Sequence, residues 1–170
     1  MAQLTPSAGW ETVYKDLRRA ATSKGYTTLP RLGGKHSQTF EFQKAGKPIA
    51  IVAFRDVGKK DHYARPNRLW VEGLDLVLAR YSHLHNAGSN VPPAFAVVID
   101  NIRAAFIVVP IRELLQLYLK RVKKPHAADS RQFTFTIEAR SAGYYLVMPD
   151  DLPARPLPDV NSLTSVLAVL

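Results

Sequence analysis

Apolar residues recur at two different periods along this chain, and the changes of period divide it into elements. In "SAGWETVYKDLRRAATSKG", Trp10, Val13, Tyr14 and Leu17 fall on one side of a helix, the spacing of an amphipathic helix packed on a core. Ser7 is placed to cap that helix and Gly25 to end it. "YTTLPRLGGKHSQ" carries Pro30, Gly33 and Gly34 and predicts a loop or a short strand with a loop. "TFEFQKAGKPIAIVAFRD" then gives two short apolar runs joined by a turn, which predicts a hairpin of two strands with its turn at 45–48.

A polar, basic loop is predicted for "RDVGKKDHYARPNR", and the clearest helical spacing follows it. In "NRLWVEGLDLVLARYSHLHNAG", Trp70, Leu74, Val77, Leu78 and Tyr81 recur every third or fourth residue, with Asn67 as a cap and Gly88 as a stop. "AFAVVID" and "AAFIVVP" flank "NIR" and are almost wholly apolar, the pattern of strands covered on both faces. Pro110 opens a helix over "IRELLQLYLKRVKK". "RQFTFTIEA" and "GYYLVMP" predict strands, "DLPARPLPDV" a proline-rich crossing, and "NSLTSVLAVL" a last helix or strand. Helix, strand pair, helix, strands, helix, strands is the order of an α/β protein, a mixed sheet with helices packed on it. With 170 residues and no internal repeat, one domain is expected.

Composition narrows the function more than the fold. Hydrophobic residues make up 46% and charged residues 22% of the chain, which argues against disorder. No apolar run approaches the roughly 18–20 residues of a membrane span, no signal-peptide core opens the chain, and no membrane partner is expected. There is no cysteine, hence no disulfide framework and no thiolate metal site, which fits a cytoplasmic protein. Lys and Arg number 23 against 14 Asp and Glu, a net charge of +9. A surface that basic favours polyanions, nucleic acid first.

The hairpin raises the sharpest chemical question. Pairing Glu41 with Ala53 puts Thr39, Glu41, Gln43, Ala53 and Arg55 on one face and Phe40, Phe42, Ala50, Val52 and Phe54 on the other, a core face. A helix, a hairpin with a third strand, a helix and further strands resembles the PD-(D/E)XK nuclease superfamily, to which type II restriction endonucleases belong. The resemblance implies a restriction-endonuclease-like α/β fold, in which an acid on one hairpin strand and a D/E-x-K triplet on the next hold Mg²⁺. Glu41 stands for the first acid and Ala53-Phe54-Arg55 for the triplet, with Arg55 able to position a phosphate but not to accept a proton. Ala53 departs from the pattern, because a methyl group binds no metal.

The resemblance implies a Mg²⁺-dependent DNA endonuclease or a subunit of one, with a non-catalytic DNA-binding module of the same fold or a basic protein-interaction protein as alternatives. Three readings of the departure at Ala53 stay open. The protein is a non-catalytic relative; or the acid comes from Asp56, Glu72 or Glu11; or alanine replaces the acid of an active site. On the second reading Glu41 and Asp56 hold the metal, and on the third Ala53→Glu is expected to create Mg²⁺-dependent DNA cleavage. The nucleic-acid-binding set that accompanies these readings is Lys35, His36, Lys59, Lys60, His62, Tyr63, Arg65 and Arg68, an aromatic among cations suited to phosphate contacts on double-stranded DNA. A second basic cluster, Lys120, Arg121, Lys123, Lys124 and Arg131, suits a helix C-terminus as well as it suits DNA. A homodimer follows only from the nuclease reading, since two-fold palindromes are read by two-fold dimers. The histidines form no metal signature: His83 and His85, two residues apart, point to different sides of a helix.

Overall fold

The structure, a computed structural model, describes residues 9–34, 37–57, 67–88, 90–122, 133–149 and 152–170. In chain order the elements are α1 (Gly9–Ser23), β1 (Thr27–Gly34), β2 (Ser37–Lys44), β3 (Lys47–Val57), β4 (Arg68–Val71), α2 (Asp75–Asn86), β5 (Ala94–Asp100) and β6 (Ala105–Pro110). They are followed by α3 (Ile111–Val122), β7 (Phe135–Arg140), β8 (Gly143–Leu146), β9 (Arg155–Leu157) and α4 (Thr164–Val169). The strands form two sheets, a five-stranded one in the order β1-β2-β3-β5-β6 and a four-stranded one in the order β4-β7-β8-β9. In the first, β3 and β5 are parallel and every other neighbour is antiparallel; the second is antiparallel throughout. The α/β expectation holds, with a second sheet in addition.

Alternation along the strands decides which layers form. Phe40, Phe42, Val52, Phe54, Val97, Ile99, Phe106 and Val108 point from the first sheet toward Val13, Leu17 and Ala21 of α1 and Val166 of α4. Aromatic rings fill that side: Tyr14 stacks on Phe40 at 3.8 Å, and the edge of one meets the other between Tyr14 and Phe54 at 77°. The opposite face of the same sheet offers Ala53, Val57, Ala96, Val98, Ile107 and Val109 to α2, α3 and the second sheet, through Leu74, Leu78, Leu114, Leu69, Ile137 and Leu146. Each large side chain buried in this way contributes about 1.5–3 kcal/mol. The five-stranded sheet is therefore covered on both faces, which the unbroken buried pattern of β5 registers directly.

Several boundaries differ from those the pattern predicts. Residues 68–71 form a strand, not the start of a helix. Leu69 and Val71 are buried and Trp70 between them is exposed, a period of two that the longer helical spacing through Leu74 and Tyr81 masks. Gly73, at φ +85°, then turns the chain into α2, and a Cβ there would sit 3.5 Å from Arg55 Nε. β1 forms in spite of Pro30 because it is an edge strand, where a missing N–H is tolerated, and its register shifts between Pro30 and Leu32. Part of the proline-rich crossing likewise becomes the edge strand β9. "NSLTSVLAVL" ends in a helix. Ser7 lies outside the described residues; the backbone N–H of Trp10 donates instead to Asp56 Oδ1 at 2.9 Å.

The hairpin turn is tighter than predicted. Ala45 and Gly46 both take positive φ, +50° and +74°, the requirement of a two-residue type I′ connection. With the register shift between Phe42 and Gln43, Ala53 pairs with Thr39 and Glu41 pairs with Ile51. The predicted pairing of Glu41 with Ala53 is therefore displaced by two residues. An even displacement leaves both faces unchanged, so the core face is the one the alternation predicts.

Candidate functional site

Glu41 is the residue on which a metal site would rest, and its carboxylate is already held by this chain. It is 7% exposed. Arg31, the residue at the β1 irregularity, grips it with a fork: Nε to Oε2 and Nη2 to Oε1, both at 3.0 Å. The Gln43 amide donates to Oε1 as well. Two parallel bonds to a planar guanidinium match carboxylate geometry closely, and Glu41 raises the Arg31 guanidinium above its ordinary value through that hydrogen bond and its charge.

The remaining members of the predicted triad do not converge on it. Ala53 is fully buried in the core between the sheets. Arg55 points to that same side and donates from Nε to the Glu72 carbonyl at 2.8 Å, with its Nη2 3.9 Å from Glu72 Oε1. Its guanidinium ties β3 to the turn that leads into α2. Asp56, one residue on, faces the other side of the sheet and accepts the N–H at the start of α1, where a carboxylate suits the positive end of the helix. Glu41 and Asp56 thus lie on opposite faces of the five-stranded sheet. Glu11 is exposed on α1. Among the described residues no group of three or more His, Asp or Glu side chains stands where it could hold a metal ion.

Of the predicted nucleic-acid-binding set, Lys35, His36, Lys59, Lys60, His62, Tyr63 and Arg65 lie outside the residues whose side chains are described. Arg68 is within them. It opens β4, pairs with Glu138 across to β7, and meets that carboxylate through Nε and Nη2, each at 3.2 Å. Arg140 grips the same carboxylate from the other side at 2.9 Å and lies over the Tyr145 ring, 4.6 Å from its centroid. The hydrogen bond from Arg140, followed by the charges of both arginines, holds the Glu138 carboxyl below the usual carboxylate range against the opposing effect of desolvation. Trp70, 46% exposed, stands on the same face opposite Thr136.

One buried acid escapes the pattern reading altogether. Asp100, fully buried at the end of β5, accepts the backbone N–H groups of Ile102 and Arg103, the Arg103 guanidinium at 3.0 Å, and the Tyr144 hydroxyl at 3.3 Å. It closes the β5–β6 turn and joins the two sheets. Burial, then the charge of Asp100, pushes the Tyr144 hydroxyl up to about 12. The turn sequence "DNIR" carries a signal for it, since an Asp accepting N–H groups two and three residues on is the ordinary chemistry of such turns.

These elements define a mixed α/β protein of two sheets and four helices among the described residues. No described helix is long and apolar enough to cross a membrane. No protein-family model, curated protein or solved structure matches the chain.

Proposed function

We propose that this protein is a non-catalytic nucleic-acid-binding module whose partner is duplex DNA. The observation that carries the reading is the net charge of +9, taken with where the acids are. Glu41, Glu72, Asp100, Glu113 and Glu138 each meet an arginine of the chain itself. Acids satisfied within the chain leave the net charge of +9 unchanged for a partner, and a phosphate backbone is the partner that excess suits.

The order of α1, a three-strand meander, α2 and a strand parallel to β3, with β4 of the second sheet inserted before α2, supports the resemblance to restriction-endonuclease-like folds. The chemistry of the residues does not fit Mg²⁺. Both Glu41 oxygens are engaged by Arg31, Ala53 offers no ligand and is sealed in the core, and Asp56 serves α1 from the opposite face. A cysteine-free chain also suits the reducing cytoplasm, where we place the module.

Binding of a labelled duplex, followed by anisotropy across a salt series with and without Mg²⁺ and read afterwards on a gel, tests the proposal. Log affinity should fall linearly with log salt, by about 0.9 for each phosphate neutralised, and the duplex should stay intact with Mg²⁺ present. Affinity indifferent to salt, or no binding at low salt, contradicts the reading; Mg²⁺-dependent cleavage would replace it with the nuclease.

A further inference from the structure

The four-stranded sheet has one face in the core and one face open. Leu69, Val71, Phe135, Ile137, Leu146 and Leu157 point inward and are buried. The register places Arg68, Trp70, Thr136, Glu138, Arg140 and Tyr145 together on the other side. That face carries a tryptophan at 46% exposure and, two strands away, a tyrosine under an arginine, together with a second arginine.

We infer that this face binds single-stranded nucleic acid, with unpaired bases stacking on Trp70 and Tyr145 while Arg68 and Arg140 meet the backbone. The inference goes beyond the duplex partner proposed above and rests on that reading only for the preference for polyanions. Its own support is the geometry. Aromatic side chains standing on an open antiparallel sheet are a platform on which bases stack without regard to sequence, because every base has an apolar π face. Trp70 and Tyr145 are separated by two strand spacings across and two residues along, about 12 Å between Cα atoms, so the two rings serve different bases. Glu138 holds both guanidinium groups on this face, leaving one net positive charge among the three. An acidic protein surface would meet the same charge but leave the indole without a matching planar group; a stacked base satisfies both.

Affinities of the 170-residue protein and its Trp70→Ala, Tyr145→Ala and Trp70→Phe variants for a labelled oligothymidine and for a duplex of equal length test this. Trp70→Ala and Tyr145→Ala should each weaken oligothymidine binding between about fivefold and a hundredfold, the range of one lost base–aromatic stack. Trp70→Phe should recover most of the loss, and duplex binding should change little because paired bases are hidden. A thermal melt establishes that each variant is folded; an unfolded Trp70→Ala leaves Trp70→Phe and Tyr145→Ala to decide. Unchanged oligothymidine binding in these variants overturns the inference while leaving the duplex reading standing. So do equal losses on both nucleic acids, which make the face a backbone contact. A wild-type protein that binds neither at low salt removes the proposed function and the inference together.

Discussion

The two sheets contrast in what their polar side chains are free to do. The five-stranded sheet is covered on both faces, and each of its catalytic-looking residues is occupied in holding the fold. Glu41 anchors Arg31, Arg55 ties β3 to the turn before α2, and Asp56 accepts the Trp10 N–H in the first turn of α1. The four-stranded sheet leaves one face to solvent, and its arginines and aromatics gather there. A glutamate at the right place on a hairpin therefore says little about chemistry until its neighbours are known. The residues able to meet a partner are the ones the layers leave uncovered.

The largest test of that contrast sets the same substitution on the two sheets. Ala53→Glu would restore the acid that the nuclease pattern wants, but position 53 is sealed between Thr39 and the core. Overpacking and an unpaired buried charge together cost on the order of 5 kcal/mol. Thr136→Glu, on the open face, should cost roughly 1 kcal/mol or less. Urea denaturation distinguishes them; similar losses would mean that the faces do not differ as described.

A smaller effect is expected where the covered sheet meets a helix. Asp56→Ala removes the acceptor at the start of α1 and should cost about 1 kcal/mol, a fall of roughly 2–4 °C in melting midpoint. Mg²⁺ should shift neither the wild-type midpoint nor the variant's. A metal-dependent rise that vanishes in the variant would restore Asp56 as a ligand. The least effect at neutral pH comes at the seam between the sheets. Because burial beside Asp100 raises Tyr144 to about 12, the native state keeps that proton after the unfolded chain, at about 10, has lost it. The stability it contributes is whole below about pH 10 and is lost as the pH climbs toward 12. The gap between wild type and Tyr144→Phe should narrow over that window; a constant gap would mean that the hydroxyl is not held as described.

Much of the fold is legible in the sequence because burial writes a period into it. The amphipathic face of α1, the core face of the hairpin and the doubly buried β5 follow from apolar spacing alone. The second sheet is harder to read. Its strands are short, four residues in β4 and three in β9, too few for a period of two to stand out beside helical spacing that runs on into α2. The hairpin register depends on turn chemistry, since positive φ at Ala45 is not what an alanine announces. What Glu41 does is hidden because Arg31, its partner, reaches it across a strand pair. That is tertiary information that no spacing within either segment contains.

The most direct test of where this protein meets nucleic acid is an amide NMR titration of the labelled chain with oligothymidine. The account predicts that shift changes concentrate in Arg68–Val71, Phe135–Arg140 and Gly143–Leu146, with the indole N–H of Trp70 moving and that of Trp10, packed against Tyr14 and Phe40, staying in place. Changes centred instead on Glu41, Ala53 and Arg55, with the second sheet silent, would contradict it.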